Sequence, residues 1–207
     1  MKLGLLLSEN FNLNRLMEEL NKVSAASFGI LNDDFRLVLS KEAEDYIYSP
    51  EEEIAGSGEK IVRQQMSSFE EFPEQSKFIT LKNSFQELLV DNLSNLNPYP
   101  FEQRLQFNSM SLQKYEKGSL GITPHRDGFK YKNIICNFNI GGRGRFFICS
   151  DRSGRDSREI EFATRSILIM RAPGFKGSDI RPFHYVTDIK ETRYVFGLRQ
   201  KVLPPNN

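Results

Sequence analysis

The chain carries two histidines in 207 residues, and both lie where a metal could use them. The first sits in Thr123-Pro124-His125-Arg126-Asp127, the second in Arg181-Pro182-Phe183-His184-Tyr185. In an extended segment residues i and i+2 project to one face. His125 and Asp127 can therefore offer an imidazole nitrogen and a carboxylate oxygen to one ion, while Arg126 points away. A histidine on a neighbouring strand, His184, completes a set of two histidines and one carboxylate. Such a set caps one face of an octahedron, suits non-haem Fe(II), and leaves the opposite positions open to small molecules. The plain alternative is a histidine in a turn and another satisfied in the core.

The C-terminal run Glu191-Thr192-Arg193-Tyr194-Val195-Phe196-Gly197-Leu198-Arg199 places two arginines six positions apart, on one face of a strand. The planar fork of arginine donates two parallel hydrogen bonds to a carboxylate. Two such groups spread along one strand can address both ends of a small diacid. Their apolar neighbours predict a packed strand, in which an unpaired inward arginine is costly. Upstream, Gln113 and Tyr115 share a face and can both hydrogen-bond a carboxylate or carbonyl.

These residues need elements to hold them. Residues 12–20 repeat apolar side chains at helical spacing, with Asn12 or Asn14 as N-cap, and residues 85–93 return to that period before two prolines close the segment. Residues 36–39 are expected to form a short strand, and the acidic stretch 42–53 an exposed helix end and turn. After Pro100 the texture changes to short β-rich runs: 105–115, 133–140, 145–150, 158–162, 166–170, 183–187 and 192–200. Evenly spaced short strands indicate a sandwich or barrel. Gly141–Gly144 and Ser153–Asp156 are expected as hairpin turns, and Pro204–Asn207 as a frayed tail. The expected organisation is a mainly helical scaffold over residues 1–100 packed on a β core over 101–207, together one compact domain.

A 39% hydrophobic and 27% charged composition is that of an ordinary globular protein. No apolar run approaches the roughly 20 residues of a membrane span, and the first residues lack the h-region and cleavage site of a signal peptide. Cys136 and Cys149 are then expected as reduced thiols in a cytoplasmic protein. The net charge of +1 conceals a polarity: residues 1–100 carry 9 Lys/Arg against 17 Asp/Glu, and residues 101–207 carry 19 against 10. That asymmetry fits either a basic face for an anionic ligand or mutual neutralisation within one fold.

The run Gln113-x-Tyr115, Gly118, His125-x-Asp127, His184 and Arg193-x5-Arg199 resembles the Fe(II)/2-oxoglutarate-dependent dioxygenases, and within them the AlkB-like branch. The resemblance covers about residues 105–200. It implies a mainly β, α+β fold: a double-stranded β-helix, a cupin-like jelly roll with the helical part as an N-terminal extension. It further implies that His125, Asp127 and His184 ligate Fe(II) and are catalytic. Arg193 then pairs with the distal carboxylate of 2-oxoglutarate, Arg199 lies near its other carboxylate, and Tyr115 and Gln113 contact the same cosubstrate. Gln113 stands where the branch has asparagine. The nine-residue interval from His184 to Arg193 resembles the wider superfamily more than the AlkB-like branch. The implied reaction consumes 2-oxoglutarate and O2, releases succinate and CO2, and hydroxylates a C–H bond; on an N-methyl group this becomes demethylation.

The substrate divides into classes. Arg143, Arg145, Arg152, Arg155, Arg158, Arg165 and Arg171 could track phosphates, with Phe129, Tyr131, Phe146 and Phe147 stacking a flipped base of alkylated nucleic acid. The acidic residues among those arginines equally fit a solvated hairpin. Hydroxylation of a small molecule, amino acid or protein side chain is the preferred reading. A non-catalytic cupin-like module that keeps the metal residues is the third.

Overall fold

The computed structural model describes residues 4–202, so the expected tail at Pro204–Asn207 lies outside the described residues. Three helices form from locally capped, amphipathic segments. In α1 (Leu13–Lys22) the Asn12 side chain accepts a hydrogen bond from the Arg15 amide, and Leu16 and Leu20 are buried. Helix α2 (Asp33–Glu44) is capped by Asn32 and carries Asp33 and Asp34 in its first turn, where the helix dipole favours negative charge. It absorbs residues 36–39, which are therefore helix and not strand. The deciding period is Phe35, Leu39 and Ala43, all buried at four-residue spacing, while Leu37 and Val38 face outward. Helix α3 (Lys77–Leu93) starts well before residue 85; Ser76 caps it, and Phe78, Leu81, Phe85, Leu89 and Leu93 line its buried face. The Glu42 carboxylate near the end of α2 accepts from the Ser76 hydroxyl at 2.6 Å and the Lys77 amide at 3.0 Å, locking the two helices together.

The strands follow as β1 (Ala25–Gly29), β2 (Ser49–Pro50), β3 (Ile54–Ala55), β4 (Val62–Gln65), β5 (Ser67–Phe69), β6 (Ser109–Tyr115), β7 (Gly121–His125), β8 (Tyr131–Gly141), β9 (Arg145–Cys149), β10 (Arg158–Ile160), β11 (Ser166–Arg171), β12 (Phe183–Thr187) and β13 (Arg193–Lys201). They build two antiparallel sheets, ordered β1-β11-β8-β13-β6-β5-β2 and β10-β9-β12-β7-β4-β3. The two sheets and their helical N-terminal part form a jelly roll, the double-stranded β-helix expected from the sequence. Five of the strands come from the first hundred residues: β1 pairs with β11, β4 with β7, and β5 with β6, while β2 and β3 extend the edges.

Gly141–Gly144 is not a hairpin turn. Strand β8 belongs to the larger sheet and β9 to the smaller, so this glycine-rich link crosses between sheets. Gly142 has φ +80°, and a Cβ there would lie 2.1 Å from the Thr192 carbonyl oxygen, which excludes any other residue. Ser153–Asp156, by contrast, does lie in the hairpin that joins β9 to β10.

Apolar side chains pack in two layers. Between the helices and the larger sheet lie Phe28, Phe78, Phe85, Phe138 and Phe196 among many aliphatic residues. Between the sheets a smaller cluster joins Tyr115, Ile135, Leu168, Met170 and Val195 to Ile122, Phe146, Ile148 and Val186. That second layer is incomplete, and the gap in it holds the site.

Candidate metal centre

Strand β7 ends at His125, and β12 sets His184 directly opposite it in the ladder. The two imidazole centroids are 4.3 Å apart. Asp127, two residues past His125, returns its carboxylate to the same place, with Oδ2 3.4 Å from His184 Nε2. One donor atom from each of the three residues lies within 4.8 Å of the others, a spacing that can enclose one ion.

Both imidazoles are oriented by the carbonyl two residues upstream. His125 Nδ1 is 2.9 Å from the Thr123 oxygen, and His184 Nδ1 is 3.3 Å from the Pro182 oxygen. A carbonyl only accepts, so each Nδ1 carries the proton and each Nε2 keeps its lone pair. Backbone contacts of this kind set the tautomer that a metal needs. Phe146 stacks on His184 at 5.6 Å. Burial, aided by the neighbouring His184, pushes His125 down to about 4, so it is neutral at physiological pH. Burial alone would raise the Asp127 carboxyl; the neighbouring imidazoles of His184 and His125 and the guanidiniums of Arg199 and Arg181 more than reverse this and hold it below the usual range.

Strand β13 supplies the opposite wall. Its alternate residues Arg193, Val195 and Arg199 line the same cleft as Gln113, Tyr115 and the three candidate ligands, a space of about 470 Å³ including its mouth. Arg193 is 1% exposed, and none of its three guanidinium nitrogens has a hydrogen-bond partner among the described residues. Its guanidinium lies 4.9 Å over the Phe162 ring. Burial lowers it to about 10, which leaves it charged at neutral pH. A fully desolvated, unpaired cation is worth several kcal/mol of lost stability unless an anion joins it. Beside it, Tyr115 is raised to about 12 by burial and remains a neutral phenol, 3.4 Å from Gln113 Oε1.

Arg199 reaches the cleft through a gap left by a glycine. A Cβ on Gly197 would fall 2.7 Å from Arg199 Nη1 and 3.1 Å from Asn137 Oδ1. The guanidinium thus folds back over Gly197, anchored to the Ser111 hydroxyl at 2.9 Å, and its Nε has no partner among the described residues. Ser111, Asn137 and Gly197 carry no signal in the sequence. Their one trace is the alternation that puts them on the face of Arg193 and Arg199.

All seven residues singled out from the sequence line this cleft. The basic cluster does not. Arg143 pairs with Glu191 at 2.8 Å, Arg145 with Glu159 at 2.6 Å, and Arg155 with Asp151 at 3.4 Å. Arg165 bonds the Leu31 carbonyl, and the Arg171 guanidinium lies 5.1 Å over the Phe175 ring. Of the aromatic residues, Phe146 is buried in the cleft wall, Tyr131 lies 5.5 Å under Arg199, and Phe147 stacks on Tyr185 at 4.8 Å. Only Phe129 among those four is largely exposed, at 59%. Cys136 and Cys149 are free thiols. Among the described residues no helix is long and apolar enough to cross a membrane.

No protein-family model and no curated protein sequence matches the chain. Solved structures do match its fold. A Pseudomonas putida prolyl-4-hydroxylase superposes with a TM-score of 0.64 at 13% identity, covering 93% of this chain and all of the other. A Trichoplax adhaerens prolyl hydroxylase, in complex with a hypoxia inducible factor oxygen degradation domain peptide, gives 0.64 at 14% identity over 91% of this chain and 88% of its own. OsALKBH1 gives 0.53 at 12% identity over 86% and 98%.

Proposed function

We propose that the protein is an Fe(II)- and 2-oxoglutarate-dependent oxygenase. The single observation that carries this reading is Arg193: a buried guanidinium without a partner, in the same cleft as a carboxylate and two imidazoles with free Nε2 atoms. A site for an ion alone has no need of it, whereas a diacid cosubstrate does. The jelly-roll fold shared with prolyl hydroxylases and with an AlkB homologue supports the same class.

In this reading His125, Asp127 and His184 would hold Fe(II), the ion at which 2-oxoglutarate and O2 would react. Arg193 neutralises the distal carboxylate, and the Tyr115 phenol, whose one proton goes to Gln113 Oε1 in the free protein, can redirect it to the same carboxylate. Arg199, braced by Ser111, serves the carboxylate nearer the ion and steadies Asp127. Phe146, Phe162, Met170 and Val195 exclude water around them. When bound, iron and 2-oxoglutarate supply oxidative decarboxylation to succinate and CO2, coupled to insertion of one oxygen atom of O2 into a substrate C–H bond.

Hydroxylation of a small molecule, amino acid or protein side chain is the favoured outcome. Arg143, Arg145 and Arg155, three of the arginines that a phosphate backbone would need, are paired with carboxylates, and Phe146 and Phe147 are packed rather than free to stack a base. AlkB-like demethylation of alkylated nucleic acid is the second reading, favoured by the Arg193-x5-Arg199 pair. Adding 2-oxoglutarate to the anaerobic Fe(II) protein should produce a visible metal-to-ligand charge-transfer band, and admission of O2 should release succinate slowly without a substrate. His184→Ala should abolish both. Neither signal from the wild-type protein, or turnover surviving in the variant, would overturn the assignment.

A further inference from the structure

One end of the smaller sheet gathers three arginines around the candidate ligands. Strand β7 ends at His125, β9 ends at Cys149, and the antiparallel β12 begins at Phe183, with Phe183 opposite Cys149 and His184 opposite His125. The residues just beyond these ends are Arg126, Arg152 and Arg181. Arg126 and Arg152 hold their guanidiniums against one ring, 4.0 Å and 5.7 Å from the centroid of Phe183. Arg181 lies 3.6 Å over Phe129 and donates to the backbone carbonyl of Asp127.

Each of the three is held by aromatic or backbone contacts, and none forms an ion pair with a carboxylate among the described residues. Arg152 Nη1 is buried and has no hydrogen-bond partner there. The contrast with nearby Arg143, Arg145 and Arg155 is direct, since each of those is paired with an acid. Burial and then Arg126 lower the Arg181 guanidinium, and the carboxylates of Asp127 and Asp179 offset this only in part. Cations kept close together, unpaired and stacked on rings are pre-organised for an anion, and a planar fork favours carboxylate oxygens. Beyond these three groups Arg143, Arg145 and Arg155 are paired with acids, so a phosphate backbone, with a charge at every nucleotide, would have to displace those acids to continue in that direction.

We infer that Arg126, Arg152 and Arg181 form a carboxylate-binding rim, so that the substrate delivered to the ion is an acid: a free amino or organic acid, or a peptide with Asp or Glu beside its reacting residue. The inference rests on the oxygenase reading for the word substrate, but its test does not require turnover. The protein loaded with Mn(II) and 2-oxoglutarate is titrated into four fluorescein-labelled probes, followed by anisotropy. These are a peptide with three glutamates, its glutamine and lysine counterparts, and an oligonucleotide of three phosphates.

The glutamate peptide is expected to bind at least tenfold more tightly than its glutamine counterpart at 50 mM salt, with the ratio falling toward unity at 300 mM as screening grows. The double variant R126E/R152E should invert the order of the glutamate and lysine peptides. Should that variant not fold, the salt dependence of the wild-type protein decides. Unlabelled N-acetylglutamate displacing the peptide at equal concentration identifies a free acid as the source; failure to displace identifies an acidic peptide. Equal binding of the glutamate and glutamine peptides, or tighter binding of the lysine peptide or the oligonucleotide, overturns the inference. Succinate release measured separately tells whether the oxygenase reading has failed instead.

Discussion

Strand β13 shows two faces that the chain uses in opposite ways. Tyr194, Phe196 and Leu198 point toward the helices, where Phe196 packs 4.9 Å from Phe78 and 5.6 Å from Phe72. Arg193, Val195, Gly197 and Arg199 point between the sheets, where nitrogens lack partners and a side chain is missing altogether. One face is complete as folded. The other leaves buried guanidinium nitrogens unpaired, so the two-residue alternation of a single strand separates the packed core from the candidate site.

The separation can be broken most severely on the helix face. Phe196→Ala removes a fully buried ring and is expected to destabilise the protein by about 3–5 kcal/mol, read from urea denaturation; a loss below 1 kcal/mol would mean the aromatic layer is not the main core. On the cleft face the sign should reverse. Arg193→Met removes an unpaired buried charge and should stabilise the ligand-free protein by about 1–3 kcal/mol, while 2-oxoglutarate no longer raises the melting temperature. A destabilised variant would show that the guanidinium already has a partner in the free protein.

Acid provides a gentler test. Between pH 6.5 and about 4 the unfolded chain protonates His125 while the folded chain does not, so the metal-free protein loses stability as the pH falls through that window. The lowered carboxyl of Asp127 adds a loss of the same sign further down. The unfolding free energy of a His125→Gln variant should depend less on pH over this interval; an identical slope would remove His125 as the cause. The smallest effect is expected from Gly197→Ala, whose Cβ must push Arg199 off Ser111. Its KM for 2-oxoglutarate should rise roughly tenfold with little change in stability.

The same alternation explains what could be read from the chain. His125, Asp127, Arg193 and Arg199 were recoverable because their intervals of two and six put charged or ligating side chains on one face regardless of fold detail. His184 was recoverable through scarcity, since no other histidine could serve. Residues 36–39 misled because Leu37-Val38-Leu39 looks like a strand, while the period that governs it runs outside those four residues, through Phe35 and Ala43. Strands β1, β4, β5 and β7 went unrecognised because they are short and gain their partners from distant segments. Ser111 and Asn137 are ordinary polar residues until Gly197 opens the space between them, and no local pattern records that.

The cross-strand pairing of His125 with His184 has one more consequence. Strand side chains alternate with a period of two, so a slip of β12 by one residue would set Phe183 or Tyr185 against His125 and turn His184 to the other face. Molecules misfolded in this way can keep their secondary structure and much of their solubility, yet they cannot assemble the three-residue set. Under the proposed metal role, stoichiometric metal uptake by a refolded sample would count correctly threaded molecules, a quality measure that circular dichroism cannot supply.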